Sequence, residues 1–339
     1  MQDPQNEMLT LGLAEAQALA EAALRHAGIA QEAARMTAEA LVLAEADGLS
    51  SHGLARLPFY LAQVHAGKVN ANAHVQLHTR GACVRVDADH GFAFPAVSQG
   101  LEVALERVRE LGVVLLAIGR SHHFGVAGHP VERAARAGVL AMAFANAPAA
   151  IAPWGGHTPL FGTDPVAFAA PRAAAPPLVI DLSLSKVARG KVMLARQQGQ
   201  PIPADWALDV HGQPTTDAQA ALAGSMLPAG EAKGAALALM VELLTAGLTG
   251  SHFAFQASSL FDAEGPPPSI AHTVLLVDPT FFAPGFVERA ELMFNAIQAQ
   301  EGARLPGSRR WALRAQHQRE GIGITRALYE ALLPGPARA

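Results

Sequence analysis

The sequence predicts a mixed α/β fold of two lobes, on three observations. Half of the 339 residues are hydrophobic and only 16% are charged, which is typical of a compact globular chain. Alanine-rich segments with helical spacing of their apolar residues open the chain and recur along it. Short apolar runs rich in β-branched residues alternate with helical segments in the central part, as strands of an α/β protein do. At this length, two lobes are the natural expectation.

A helical hairpin is predicted at the start of the chain. Ala, Leu, Glu, Gln and Arg recur with helical spacing over 13–27 and again over 30–46. Gly28 and Gly48 follow these segments, where glycine commonly ends a helix in a left-handed conformation. The pattern therefore predicts two consecutive helices joined by a short turn.

The segment 50–56, with the sequence S-S-H-G-L-A-R, carries a hydroxyl, an imidazole and a guanidinium close together. A third helix from Leu54 to about Ala66, with one of the two serines as its N-cap, would let His52 and Arg56 point the same way. Pro58 fits such a helix only in the first turn. One side chain would then transfer a proton while the other holds an anion; the alternative is a capped helix start with a surface arginine.

The central part predicts a sheet with helices packed on it. An apolar run at 113–118, a helix near 131–137 and a second run at 139–145 predict a βαβ unit with a parallel pairing. Further strands are predicted at 75–77, 84–86, 166–169, 178–181 and 273–277, and further helices at 95–111, 187–198, 233–248, 286–300 and 325–332.

Two long segments, 199–227 and 251–269, are rich in Pro, Gly, Asp and Ser. Connections of this length inside a compact domain are uncommon unless they have a function. We interpret them as functional loops or partner-facing segments.

A polar loop at 121–128, with the sequence S-H-H-F-G-V-A-G, follows the strand at 113–118. Open α/β sheets bind ligands at the carboxyl ends of their strands, and small residues let a phosphate or ribose approach backbone N–H groups. The alternative is an ordinary connection that needs glycine for its turn. The sequence contains neither G-x-G-x-x-G after a strand nor a phosphate-binding loop, so a dinucleotide site here would differ from the Rossmann type.

Other polar residues stand near predicted strand and helix ends, each with a plainer alternative. Thr163, beside Pro165, suits a carboxylate or carbonyl oxygen, or belongs to a tight turn. Asp181 ends a strand and can hold ribose hydroxyls or cap the next helix. Arg309 and Arg310 can meet a phosphate or remain surface arginines.

Composition excludes several classes of function. A net charge of −4 gives no electrostatic reason to expect nucleic acid or an anionic membrane as a partner. Fourteen histidines occur without an H-E-x-x-H motif, so no metal site is predicted. No G-x-S-x-G elbow surrounds Ser51, which argues against a serine hydrolase. The single cysteine, Cys83, and the absence of leader features in Met1–Leu11 favour a cytoplasmic protein.

The ordered set of motifs resembles the second malate/L-lactate dehydrogenase family, which also contains sulfolactate, ureidoglycolate and diketogulonate oxidoreductases and cyclic-imine carboxylate reductases. The resemblance extends from about Leu13 to Leu332 and is specific as a set, although each motif is weak alone. The motifs are S-H-G-x-x-R at 51–56, S-H-H-F-G at 121–125, P-W-G-G at 153–156, G-T-D-P at 162–165, P-I-P at 201–203, G-Q-P-T-T-D at 212–217, L-P-x-G-x-x-K-G at 227–234 and P-G-x-R-R at 306–310.

The resemblance implies a homodimer and a non-Rossmann nicotinamide-binding domain. It assigns residues 111–299 to this mixed-sheet α/β domain, and 1–110 plus about 300–339 to a mainly helical substrate and dimerisation domain. It implies that His52 donates and accepts the proton, that Ser51 is its relay partner, and that Arg56 and Thr163 hold a substrate carboxylate. The implied cofactor-binding residues are His123, Phe124, Gly125, Val126, Ala127, Gly128, Asp181, Leu182, Ser183, Glu231, Ala232, Arg309 and Arg310.

Within the family, the segments 121–124 and 250–253 look most similar to reductases of Δ1-piperideine-2-carboxylate and Δ1-pyrroline-2-carboxylate, which make L-pipecolate and L-proline. Two positions depart from family patterns. Ser50 stands where many members have His. Lys191 stands where the imine reductases have a relay Asp, whereas the hydroxy-acid dehydrogenases have Lys there; we keep it as a doubtful catalytic residue.

The resemblance therefore leads to an expected activity: NADPH-dependent reduction of a cyclic imine carboxylate, with NADH as the alternative cofactor, in proline metabolism or lysine degradation. Oxidation of a 2-hydroxy acid such as malate, lactate or ureidoglycolate is the runner-up. A catalytically silent member of the fold is a further alternative, against which the presence of Ser51, His52 and Arg56 together argues.

Overall fold

A helical hairpin opens the computed structural model, which describes residues 7–333. After strand β1 (Met8–Leu11), helices α1 (Leu13–His26) and α2 (Gln31–Ala46) pack against each other. Gly28 and Gly48 have φ angles of 92° and 74°, which confirms the predicted left-handed ends. Residues 1–6, part of the segment in which no leader was expected, and residues 334–339 of the expected helical domain lie outside the described range.

The segment after α2 differs from the predicted helix start. Ser50–His52 and Leu54–Arg56 form separate 3₁₀ turns, and helix α3 (Leu57–His65) begins only after them. Neither serine caps a helix. Instead, the buried carboxylate of Glu45 on α2 accepts the backbone N–H of Leu54 at 2.8 Å. A carboxylate from a distant turn has replaced the local cap, which the sequence spacing cannot reveal.

Seven strands form one mixed sheet in the order β2-β3-β4-β10-β5-β6-β7, in which only β3 and β4 are parallel neighbours. The mixed sheet agrees with the predicted fold class. The strands are β2 (Gln76–Arg80), β3 (Cys83–Asp87), β4 (Val113–Ser121), β5 (Leu140–Ala145), β6 (Val166–Ala170), β7 (Leu178–Leu182) and β10 (Ile270–Val277).

The predicted parallel pairing of the runs at 113–118 and 139–145 is wrong. Strand β10 lies between β4 and β5 and is antiparallel to both. The two strands do run in the same direction, but a strand from much later in the chain separates them. β10 is buried along most of its length, so pairing on both sides satisfies its backbone groups.

The remaining helices include two that the sequence did not predict. Helix α7 (Ala218–Ala223) falls in the segment 199–227, which was interpreted as a loop. Helix α10 (Ser308–Glu320) has side chains that are nearly all at least partly exposed and give no apolar stripe. The described helices after α3 are α4 (Ala93–Leu111), α5 (Gly128–Arg136), α6 (Arg189–Gln197), α7 (Ala218–Ala223), α8 (Ala232–Glu242) with a π-helical turn (Leu243–Gly247), α9 (Phe286–Gln298), α10 (Ser308–Glu320) and α11 (Arg326–Leu332). Strand β11 (Ile322–Thr325) pairs with β1, so the two ends of the described chain meet. No helix within residues 7–333 combines the length and apolar character needed to cross a bilayer.

Two large hydrophobic cores lie side by side. One is built from the sheet with α4 and α5, and the other from α1, α2, α3 and the β1/β11 ladder. Strands β2 and β3 precede residue 110 but belong to the sheet, so the domain division at that residue remains a prediction. The segment 199–227 carries β8 (Ala207–Leu208), α7 and β9 (Ser225–Met226) around a small core of its own.

Candidate active site

The 3₁₀ turns after α2 gather the three side chains singled out in segment 50–56. The hydroxyl of Ser51 lies 3.0 Å from Nδ1 of His52. Arg56 folds back, and its Nε donates to the carbonyl oxygen of Ser51 at 2.8 Å. The structure thus brings together the hydroxyl, imidazole and guanidinium without the predicted helix start.

The imidazole of His52 stacks on that of His123, with ring centroids 5.5 Å apart and planes 27° from parallel. His123 belongs to the loop after β4, so the two segments that the sequence singled out separately are in contact. The hydroxyl of Tyr60 lies 2.7 Å from Nδ1 of His123. Burial raises the pKa of Tyr60, so its hydroxyl stays neutral and pairs with this ring nitrogen of His123. Sequence analysis missed Tyr60, which reads as an ordinary core aromatic.

The electrostatics of the site keep His52 neutral. Burial lowers its pKa to about 4, and the positive charges of Arg56 and His129 act in the same direction. At neutral pH the ring is therefore an acceptor for a proton. If Nδ1–H donates to Ser51, Nε2 carries the free lone pair.

Arg56 is a guanidinium with unused hydrogen-bonding capacity. Its Nη1 is buried without a partner, and burial lowers the pKa of the group. The Phe261 ring lies 4.4 Å from the guanidinium carbon and shields one face. A buried, unpaired guanidinium is costly unless an anion completes it, so Arg56 is suited to hold a carboxylate.

Lys68 anchors the loop that carries Phe261. Its side chain is fully buried, and Nζ donates to the carbonyl oxygens of Ser259, Asp262 and Glu264 at 2.7, 3.2 and 2.6 Å. The segment 251–269 is thus a long loop anchored by a lysine from outside it, consistent with its interpretation as a functional loop. Sequence analysis missed Lys68 because a lysine after a glycine is usually solvated.

A second cluster lies at the start of α5. The carboxylate of Asp181, at the end of β7, accepts the N–H of Gly128 at 2.8 Å and lies 3.4 Å from Nη2 of Arg310. A Cβ atom placed on Gly128 would lie 2.5 Å from Nη1 of Arg310, so a larger residue here would displace the Arg310 side chain. That Nη1 is buried without a partner. An orphaned guanidinium nitrogen beside a glycine cradle and a carboxylate fits a ligand with phosphate and ribose groups.

The loop 121–128, which lies between these two clusters, is held in place by stacking and hydrogen bonds of buried side chains. Gly125 adopts a φ of 73°, and the Phe124 ring stacks on His272 at 4.4 Å. His122 binds the side chain of Gln63 at 2.6 Å, and its carbonyl oxygen accepts from His272. Phe124, Val126 and Ala127 are buried. The first histidine of the pair thus supports the loop, and the second faces His52.

Two further predicted stretches meet at the end of the sheet. The carbonyl oxygen of Thr163 accepts the N–H of Leu184 at 2.8 Å and the hydroxyl of Ser183 at 3.3 Å. Ala229 donates to Leu184 in turn, which brings the start of α8 to the same edge. Leu182 is exposed there.

Glu231 and Ala232, at the start of α8, are exposed, as is Arg309 in the first turn of α10. Glu231 has a φ of 58° and a ψ of −127°, a conformation that favours glycine. Such strain is typical of functional sites.

Lys191 does not reach the proton-transfer pair. It is exposed on α6 and has no hydrogen bond to Ser51 or His52 among the described residues. Its neighbour Gly190 is close to the pair: a Cβ atom placed there would lie 3.8 Å from Cβ of Ser51. No contact among the described residues therefore supports a catalytic role for Lys191, which stays a prediction.

A buried charge network, also missed from the sequence, joins the two cores. Asp47 accepts from His129 at 2.9 Å and from Arg314 at 2.6 Å, and Arg314 also pairs with Glu132. These residues come from α5, α10 and the end of α2. Residues so distant in sequence give no local signal.

The neutral His52 beside the unpaired guanidinium of Arg56 is a suitable arrangement for proton transfer next to a bound anion. A family model described as malate/L-lactate dehydrogenase matches residues 11–333. The chain belongs to this family, as the motifs indicated, and is an oxidoreductase.

Three relatives define its neighbourhood. The chain is 60% identical over 322 residues to the (2R)-3-sulfolactate dehydrogenase (NADP(+)) of Chromohalobacter salexigens, covering 95% of this chain and 96% of the relative. It is 39% identical over 331 residues to a Δ1-pyrroline-2-carboxylate/Δ1-piperideine-2-carboxylate reductase of Pseudomonas aeruginosa, covering 96% and 99%. The crystal structure of Δ1-piperideine-2-carboxylate reductase from Pseudomonas syringae superimposes with a TM-score of 0.89 at 37% identity, covering 96% and 98%.

Proposed function

We propose that this protein catalyses the NADP-dependent oxidation of a 2-hydroxy acid of the 3-sulfolactate type. The observation that carries the proposal is the neutral His52, with its pKa lowered to about 4, beside the unpaired guanidinium of Arg56. A neutral base next to a carboxylate-binding group is what oxidation of a 2-hydroxy acid needs. The 60% identity to a sulfolactate dehydrogenase supports this substrate class over the cyclic imines favoured by the motifs alone.

The residues divide the reaction between them. Arg56 binds the carboxylate and orients the substrate, and the resemblance to the family implies Thr163 as a second contact. Nε2 of His52 accepts the hydroxyl proton as the C2–H hydride leaves, and Ser51 steadies Nδ1. The nicotinamide, when bound, accepts the hydride. Phe261 and the stacked His123 exclude water around the base and the anion.

The cofactor site proposed is the cradle formed by Gly128, Asp181 and Arg310. Its orphaned guanidinium nitrogen suits a phosphate group, and its carboxylate suits a ribose hydroxyl. NADP as the preferred cofactor agrees with the sequence-based expectation and with the name of the sulfolactate dehydrogenase. Glu231 and Arg309, which the resemblance to the family also implies as cofactor-binding residues, are both exposed.

Reduction of a cyclic imine carboxylate is the second candidate. Several relatives at 37–39% identity are named Δ1-pyrroline-2-carboxylate reductases. That reaction needs a protonated His52 as donor, and the lowered pKa disfavours this form in the free enzyme. Binding of a carboxylate to Arg56 would weaken the repulsion and raise the pKa, so the site retains a route to this chemistry.

We also propose that the protein acts as a homodimer in the cytoplasm. Helix α8 and its π-helical turn present exposed apolar side chains, which a second copy of the chain would cover. These are Leu237, Leu239, Met240, Leu243 and Leu248. The free, exposed Cys83 is compatible with a reducing compartment.

A substrate panel tests the proposed activity. Reduction of NADP and NAD is followed with (2R)-3-sulfolactate, malate, lactate and ureidoglycolate, and oxidation of NADPH and NADH with the two cyclic imines. The expected result is the highest kcat/KM for sulfolactate with NADP. Faster imine reduction would favour the second candidate. Cofactor-induced melting shifts with no turnover of any substrate would point to a catalytically silent protein.

A further inference from the structure

Arg189, the first residue of α6, is a partly buried cation that the proposed reaction does not yet use. Among the described residues, its side chain makes one hydrogen bond, from Nη1 to the carbonyl oxygen of Ala149 at 3.3 Å. It makes no ion pair within residues 7–333. Burial alone lowers its pKa, since no opposite charge is close enough to raise it.

The other well-buried arginines show that this fold normally neutralises such charges. Arg314 is held between Asp47 and Glu132, and Arg172 forms a two-point contact with Glu291. In these pairs the carboxylates raise the pKa of the arginine. Arg56 and Arg189 are the two whose pKa is lowered by burial in the described part of the chain. A guanidinium shielded from water in this way is costly without a counter-charge, and an anionic ligand would supply one.

The position of Arg189 places it at the substrate end of the site. The next residue, Gly190, lies against Ser51. Ala149, which accepts from Arg189, precedes Ala150, whose N–H donates to Phe161 at the start of the loop that carries Thr163. Arg189 is therefore bounded by the proton-transfer segment on one side and the Thr163 loop on the other.

We infer that Arg189 forms a second anion site, which binds an acidic group on C3 of the substrate while Arg56 binds the carboxylate on C1. The inference rests on the proposed oxidation of a 2-hydroxy acid and assigns the substrate class as dianionic: a 3-sulfonate or a second carboxylate. A sulfonate accepts hydrogen bonds from a guanidinium through several oxygens, as a carboxylate or phosphate does.

This assignment separates the two candidate substrate classes. A cyclic imine carboxylate has one anionic group and an apolar ring, so it would leave Arg189 buried and unpaired. Lactate would leave the same charge uncompensated. A site whose own polar group is left without a partner by the wrong substrate discriminates strongly against that substrate. Arg189 is thus a specificity-determining residue.

Substitution of Arg189 tests the inference. In Arg189→Met, kcat/KM for 3-sulfolactate should fall by about 30-fold or more, mainly through KM, because one partner of a buried charge pair is lost. The kcat/KM for lactate should change by less than about threefold, because lactate has no group for this site. Arg189→Lys should recover part of the loss.

The control is Arg196→Met, the same substitution at an exposed position of the same helix. It should leave kcat/KM unchanged for both sulfolactate and lactate. Equal losses for sulfolactate and lactate in Arg189→Met would overturn the inference and give Arg189 a structural role. If wild-type protein oxidises no 2-hydroxy acid, the proposed function fails instead, and the two failures are distinguishable.

Inhibition of the wild-type protein provides a second test that does not depend on a variant folding. Sulfoacetate and malonate carry two anionic groups, and acetate carries one. The dianions should compete with substrate at least about 30-fold more tightly than acetate. Equal inhibition by all three would overturn the second anion site.

Discussion

At the scale of single residues, the chemistry depends on a histidine kept neutral by its surroundings. Burial and the nearby positive charge of Arg56 lower the pKa of His52 to about 4. An exposed histidine titrates near 6.5. The free enzyme therefore holds its base in the active form throughout the physiological range.

Replacement of His52 by Gln should lower kcat for 2-hydroxy acid oxidation by about 100-fold or more, since the amide cannot accept the hydroxyl proton. The cofactor dissociation constant should remain near wild type. In the wild-type protein, kcat/KM for oxidation should be constant down to about pH 5 and should fall below that, as His52 becomes protonated. Steady-state kinetics across pH, with cofactor titration, measure both.

His65→Gln is the matched control, because His65 is exposed on α3 and outside the site. An unchanged kcat in His52→Gln would remove His52 from proton transfer. An acid limb near pH 6.5 that persists in His52→Gln would assign the titration to another group.

At the scale of elements, one anchored loop covers Arg56, the residue proposed to bind the substrate carboxylate. Lys68 follows α3 and fixes three carbonyl oxygens of the segment 259–264. Phe261 in that segment covers Arg56 at 4.4 Å and meets Phe59 of α3 edge-on at 6.0 Å. Lys68 is thus a positioning residue that acts on the carboxylate site through Phe261.

Lys68→Met should raise KM for the acid substrate by about tenfold and change kcat by less than about threefold, because Arg56 loses its cover but His52 keeps its partners. Phe261→Leu should reproduce this split. Asp262→Asn should have little effect, because the Asp262 side chain is half exposed and its carboxylate lies 3.4 Å from Nζ. A fall in kcat with constant KM in Lys68→Met would contradict the positioning role.

At the scale of the whole molecule, the exposed apolar side chains of α8 and its π-helical turn call for a partner surface. They are continuous with Glu231 and Ala232 at the start of α8, so a second copy bound there would lie beside the proposed cofactor site. Helix α9 also exposes two apolar side chains, Leu292 and Met293. The two surfaces give alternative dimer geometries, of which we favour the one on α8.

The double substitution Leu239→Glu/Leu243→Glu should convert a dimer to monomers, because two carboxylates would be buried in the interface without partners. Light scattering coupled to size-exclusion chromatography measures the mass. Leu292→Glu/Met293→Glu is the matched control and should leave the dimer intact. Monomers only in the α9 variant would move the interface to that helix, and a monomeric wild type would refute the dimer.

Much of the local structure was accessible from sequence because it depends on neighbouring residues. The helical hairpin, its glycine ends, and most strands and helices follow from apolar spacing and from Gly28 and Gly48. Helix α10 was missed because its residues form no apolar stripe. The pairing of β4 with β10 was missed because strand order depends on contacts between residues far apart in the chain.

The sequence by itself determined the family, the α/β class and the residue types at the site, since the motifs around His52, His123 and Asp181 are short and local. Only the tertiary structure decided which of them meet and in what state of charge. The contact between His52 and His123, the cap from Glu45 and the anchor from Lys68 each join separate segments. Burial, which sets the pKa of His52 and leaves Arg56 and Arg189 unpaired, is a property of the assembled chain, because solvent is excluded only when distant segments pack together.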